Sequence, residues 1–197
     1  MRLVVLTKSA KRRNDGANYG NCVAGINADG EWVRLVSDFN GDSLSDYECR
    51  QFNCLDIIDV EVTPCPIEHH PENVKLERFV ENVRKYSIHD VVRKFGLDDD
   101  RFCFVNTFNS LDERERQQAG KSLVLIMVQN LIIYQDDRGK IKAKFIYNGQ
   151  QYKDISVTDN QYRKPLEFED AYIVVSLPNE TKGYARYYKF IAAIYPI

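Results

Sequence analysis

Three pieces read together decide the fold class: Cys22-Val23-Ala24-Gly25-Ile26, then Asp29-Gly30, then Glu31-Trp32-Val33-Arg34-Leu35-Val36-Ser37. Two runs of strand length flank an Asp-Gly pair. Both central positions of a type I′ turn need positive φ, which Gly supplies and Asp tolerates, so the pair predicts a tight hairpin. As a strand, the second run places Trp32, Arg34 and Val36 on one face and Val33 and Leu35 on the other. Working outward, Leu3-Val4-Val5-Leu6 is a short buried strand. Leu55–Val62 alternates as a half-exposed strand ended by Pro64 and Pro66. Between them, residues 38–54 are polar and read as a long loop or weak helix.

The middle of the chain changes period. Leu76, Phe79, Val80 and Val83 follow i, i+3, i+4, i+7, the spacing of one helix face. Pro71 and Glu72 suit the first turn of such a helix. Ser87 with Asp90 three residues later predicts a capping box opening a helix over Ile88–Phe95, closed by Gly96. Residues 74–118 therefore read as a helical connector.

The last third is again β. Leu123–Tyr134, Ala143–Tyr147, Tyr152–Thr158, Ala171–Leu177 and Tyr184–Ile194 are strand runs, with a second strong hairpin signal at Asn148-Gly149. The two ends echo each other. Each has an aromatic after the Asx-Gly turn (Trp32, Tyr152) and a strand closing on Val36-Ser37-Asp38 or Val157-Thr158-Asp159. The expectation is a mainly β chain, α+β overall, with two small partly open barrels of the OB type. They would occupy residues 1–73 and 119–197, joined by the connector at 74–118.

Composition narrows the function classes. The 197 residues carry 27 basic and 29 acidic side chains, net −2, and are 44% hydrophobic, which fits a packed globular protein. No apolar run reaches the ~18 residues of a membrane span. Five cysteines, at 22, 49, 54, 65 and 103, include no Cys-x-x-Cys and read as reduced thiols of a cytoplasmic protein. Residues 51–118 hold 9 basic and 14 acidic groups, whereas residues 119–197 hold 11 and 8. The tightest basic cluster is Lys8, Lys11, Arg12 and Arg13.

Leu3–Ser9, Cys-Val-Ala-Gly at 22–25 and Trp-Val-Arg at 32–34 together resemble the opening of the bacterial dual OB-containing domain family. The resemblance continues through Asp56–Val60, His70-Pro71-Glu72-Asn73, Val157-Thr158-Asp159, Val175-Ser176-Leu177 and Tyr188–Ile194. It implies two OB barrels and, by analogy to that fold, a nucleic-acid or nucleotide ligand. Leu35 stands where the family tends to have proline, His70 where it tends to have glutamine, and the stretch at 12–20 is longer than usual.

Candidate contacts follow from side-chain chemistry. On the first unit, Lys8 and Arg34 offer charge to phosphate, Ser9 and Ser37 offer hydroxyls, and Trp32 offers a ring for stacking. Trp32 read as core, with Arg34 snorkelling over it, is the structural alternative. Glu72 and Asn73 are further candidates. On the second unit Tyr147, Tyr152, Tyr162, Tyr184, Tyr187 and Tyr188 interleave with Lys142, Lys144, Arg163, Lys164, Lys182, Arg186 and Lys189, as a single-strand groove requires. Thr158 and Asp159 complete the set. His69 and His70 with Cys65 would be a metal set, but Cys49, Cys54 and Cys65 lie 5 and 11 residues apart, which is loose for zinc, and no metal or cofactor is expected. No nucleophile or phosphate-loop signature occurs. The leading expectation is a non-enzymatic module for single-stranded nucleic acid. The alternatives are a nucleotide or small-molecule binder, a sensor or processing enzyme with its ligand between the barrels, and a protein-interaction module.

Overall fold

The computed structural model describes residues 1–12, 19–181 and 185–197, without the side chains of Lys11, Arg12 and Tyr19. Arg13, Lys182 and Tyr184 lie outside the described residues, as do the Lys11 and Arg12 members of the expected basic cluster at side-chain level. The chain divides into two compact units, Met1–Gly96 and Leu97–Ile197. Among the described residues no helix is long and apolar enough to cross a membrane.

The first unit contains β1 (Arg2–Arg12), β2 (Tyr19–Asn27), β3 (Trp32–Val36), α1 (Asp46–Cys49), β4 (Asp56–Pro64), β5 (Asn73–Lys85) and α2 (Ile88–Phe95). Its strands close into a barrel in the order β1-β2-β3-β5-β4. Among the described residues β3 and β5 pair in parallel and the other neighbours antiparallel. Closure gives every strand a neighbour on both sides, and the inward residues Leu3, Val5, Val23, Val33, Leu35, Ile58 and Val60 fill the interior. The hairpin at 28–30 differs from the type I′ turn expected. Gly30 has φ of 87° and its N–H donates to the Asn27 carbonyl at 3.2 Å, while Asp29 keeps a negative φ. This is a three-residue loop, a type I turn followed by a left-handed glycine.

The helix expected over the start of the connector is a strand, and β5 continues the barrel to Lys85. Its pairing with β4 slips three times, leaving Glu77, Val80 and Val83 without a partner residue. Each slip is a β-bulge, which inserts one residue and resets the inside–outside alternation. Repeated every three residues, the bulges stretch a period of two toward three and imitate a helical face. Leu76 and Phe79 pack on the core, whereas Val80 and Val83 are exposed. The helix at Ile88–Phe95 is as expected. Ser87 and Asp90 form the reciprocal capping box, and Gly96 follows with φ of 81°.

The second unit opens with β6 (Ser110–Leu111) and α3 (Glu113–Ala119). Then come β7 (Leu123–Gln135), β8 (Ile141–Tyr147), β9 (Gln150–Val157), β10 (Leu166–Ser176), β11 (Tyr187–Tyr188) and β12 (Phe190–Pro196). Five of these close a barrel with the same order, β7-β8-β9-β12-β10, again with the third and last strands parallel. Asn148 and Gly149 both have positive φ, 48° and 72°, as a type I′ turn requires.

The sequence echo at the ends of the third strands has a structural basis. Asp38 Oδ1 accepts from the N–H groups of Asn40 and Asp42 at 3.0 and 2.9 Å. Asp159 Oδ1 accepts from Gln161 at 2.9 Å, and its Oδ2 from Ile194 at 2.9 Å. Each aspartate turns the chain out of the sheet.

Candidate functional site

On β3, Val33 and Leu35 point into the barrel, so Arg34 lies on the outer face, in register with Ala24 of β2 and Asn73 of β5. Arg34 is nevertheless only 4% exposed. Its Nε donates to Glu72 Oε1 at 3.1 Å and its Nη1 to Cys22 Sγ at 2.8 Å. Its backbone N–H donates to the Glu72 carbonyl at 3.0 Å. Burial works against the guanidinium charge, but Cys22 and Glu72 more than offset it and hold the pKa above the ordinary arginine value. Arg34 therefore joins two strands and a loop, and its charge is spent inside the protein.

Asn73, beside it, is 1% exposed, and neither its side-chain Oδ1 nor its Nδ2 has a hydrogen-bond partner. A Cβ on Gly41 would sit 3.1 Å from Asn73 Nδ2, so the glycine, with φ of 79°, leaves room for the amide beneath loop 38–42. A buried amide left unpaired costs about 1–3 kcal/mol, which stability alone does not explain.

The other expected contacts are placed as follows. Lys8 Nζ donates to the carbonyls of Cys49 and Phe52 at 2.6 and 3.0 Å, closing the end of α1. Ser9 is buried opposite Cys22 in the β1–β2 ladder. Ser37 is half-buried, its Oγ donating to the Asp42 carbonyl at 3.4 Å. Trp32 is half-buried on the outer face and lies outside the core cluster. The structure thus brings Ser9, Arg34, Glu72 and Asn73 together around Cys22.

Thr158, Asp159 and Tyr152 belong to the second unit and form no part of that set. Thr158 donates through both N–H and Oγ1 to the Ile191 carbonyl, at 2.9 and 3.2 Å. Tyr152 is fully buried, stacked on Phe145 with centroids 5.0 Å apart, its hydroxyl accepting the Cys103 N–H. The expected tyrosine surface is largely interior, since Tyr147, Tyr152 and Tyr187 are core and Tyr162 and Tyr188 half-buried. A strand following a two-residue turn carries Tyr152 inward, whereas Trp32 faces out.

Lys189 is also interior. Its Nζ lies 5.3 Å from the Tyr152 ring centroid and donates to the carbonyl and side-chain oxygens of Asn106, at 2.6 and 3.0 Å. Burial pulls its pKa down to about 8, against the opposing influence of Cys103 and Glu115. The unfolded chain, with an ordinary lysine, binds the extra proton between pH 8 and about 10.4, so this lysine's contribution to stability rises with pH there. Urea titrations of the protein and of Lys189→Met should diverge by up to about 1.4 kcal/mol per pH unit across that window. A constant difference would show that Lys189 titrates normally.

The sequence reading missed two aromatic–cation pairs. Phe39, in the loop after β3, is 59% exposed, and Lys75 Nζ lies 5.0 Å from its ring centroid. Tyr47, on α1, is 68% exposed, with the Arg50 guanidinium 4.0 Å from its ring. Lys75 lies opposite Val36, two places along the β3–β5 register from Arg34 and Asn73. Tyr47 is tied back through Asp46, whose Oδ1 accepts from Asn21 Nδ2 at 2.7 Å. The available signal was an aromatic residue in each of two otherwise polar stretches, Asp38-Phe39-Asn40-Gly41 and Ser45-Asp46-Tyr47-Glu48.

Two closed five-stranded barrels with one strand order, each pairing its third and last strands in parallel, define a tandem OB-type protein. The profile of the dual OB-containing domain matches residues 1–194, and the chain belongs to that family. No curated protein and no solved structure matches it.

Proposed function

We propose that the first barrel binds single-stranded nucleic acid at the surface formed by loop 38–42, α1 and the start of β5. The observation that carries this reading is the pair of exposed rings, Phe39 and Tyr47, each with a cation over its face. Rings accept any base by stacking, and the adjacent cations meet the phosphates, so the combination suits a flexible strand. Arg50 supplies charge that Arg34 and Lys8, committed internally, do not, and Lys75 adds to it from a solvent-facing pair with Glu77, whose Oε1 and Oε2 accept from its Nζ at 3.1 and 3.0 Å.

Fluorescence anisotropy with a labelled ~20-mer, DNA and RNA in parallel and over a range of salt, tests the proposal. Phe39→Ala and Tyr47→Ala should each weaken binding about 5- to 100-fold, the range for losing one stacked base. Lys75→Gln should also lower the salt slope by about 0.7. Wild-type affinity in the Phe39→Ala, Tyr47→Ala double variant would refute the assignment.

A further inference from the structure

The opposite end of the same unit carries a feature that the nucleic-acid reading does not use. There the end of β5 and the last turn of α2 border two adjoining open clefts, of about 400 and 440 Å³, which share Arg84, Tyr86 and Lys94. The first has an apolar floor of Val4, Ile26 and Ile57 and a wall formed by the Phe95 ring. The second is lined by Arg84, Lys85, Arg93 and Lys94 with Tyr86 and a single carboxylate, Asp90. We infer that the pair is one bipartite site for a nucleoside polyphosphate, with the base over the apolar floor and the phosphates among Arg84, Lys85 and Lys94.

The charge balance carries the argument first. Asp90 is occupied by the Ser87 cap, accepting from Ser87 Oγ at 2.7 Å, and by Arg93 at 2.5 Å. Arg2, on the rim, is neutralised by Asp59 through two hydrogen bonds of 2.9 and 2.7 Å. The second cleft therefore keeps a net positive charge suited to several phosphate groups rather than one carboxylate. In a chain of net −2, such a local concentration of cations stands out.

Pre-organisation adds to it. The Arg84 guanidinium lies 5.0 Å from the Tyr86 ring centroid and donates to the Tyr86 hydroxyl at 3.1 Å. Lys94 Nζ lies 4.8 Å from the Phe95 centroid. Rings hold both cations at the border of the clefts, so less side-chain freedom is lost when an anion arrives. Volume agrees too, since each half falls within the range of small-ligand pockets. Inorganic polyphosphate would use only one half and a free nucleoside only the other.

Titration calorimetry of the full chain with ATP, GTP, tripolyphosphate and adenosine tests the inference. Nucleoside triphosphates should bind at least about tenfold more tightly than either fragment. An Arg84→Gln, Lys94→Gln double variant should lose about tenfold or more of that affinity, with its ligand-free melting temperature retained because both side chains are exposed. Phe39→Ala should leave nucleotide binding intact, which separates this site from the proposed strand-binding surface. Tripolyphosphate binding as tightly as ATP would reduce the site to a basic patch and overturn the inference. So would nucleotide affinity unchanged in the double variant, or absent altogether.

Discussion

Gly25→Ala should destabilise the first barrel by about 3 kcal/mol or more, the upper range for overpacking, because nothing near it can yield. A Cβ at this position would lie 1.9 Å from the Val4 carbonyl oxygen, 2.8 Å from its carbon and 3.1 Å from the Val5 Cα. All three are backbone atoms, so no rotamer change relieves the contact. Gly25 pairs with Val5 on one side and Val33 on the other, and the β1–β2 register slips at Leu6, just beyond the crossing. The bulge bends β1 over β2 where the barrel closes, and the missing side chain permits that approach. Equilibrium urea denaturation of Gly25→Ala measures the loss. A change below about 0.5 kcal/mol, typical of a surface position, would mean that β1 leaves room for a methyl group at this crossing.

That glycine shows how much of the protein could be read from residues alone. Alternating runs, the Asn148-Gly149 turn and the Ser87–Asp90 box all act over a few neighbours, and each predicted its element. The strand β5 was misread for a physical reason. Its apolar spacing is set by three bulges against β4, and bulges are a property of the pair that one strand cannot display. The site was less legible than the fold. Arg34 stands out in the sequence as a charge among apolar residues, yet its partners Cys22 and Glu72 lie 12 and 38 residues away. Only the tertiary structure shows that its charge is consumed. Tyr152 and Lys189 have the composition of a binding groove and fill the second barrel's core instead. Conversely, Phe39 and Tyr47 sit in polar segments where periodicity gives no signal, and exposure alone sets them apart.

The ion pair between Arg34 and Glu72 yields the second large effect and also distinguishes structure from recognition. Their side chains are 5% and 10% exposed, so removing one partner leaves the other in a medium that solvates charge poorly. Glu72→Ala should therefore cost about 3–5 kcal/mol by urea denaturation, more than a joint Arg34→Met, Glu72→Leu replacement, which removes both charges. If the double variant were the less stable of the two, the pair would be a net source of stability in its own right. The same substitution reports on binding. Were Arg34 a phosphate contact held in reserve, freeing it from Glu72 would add a cation to the interface and steepen the salt dependence of strand binding by about 0.7. With the guanidinium still held by Cys22 beneath the sheet surface, the slope should stay at its wild-type value while stability falls. An unchanged slope would leave phosphate recognition to Lys75 and Arg50, and a steeper one would return Arg34 to the interface.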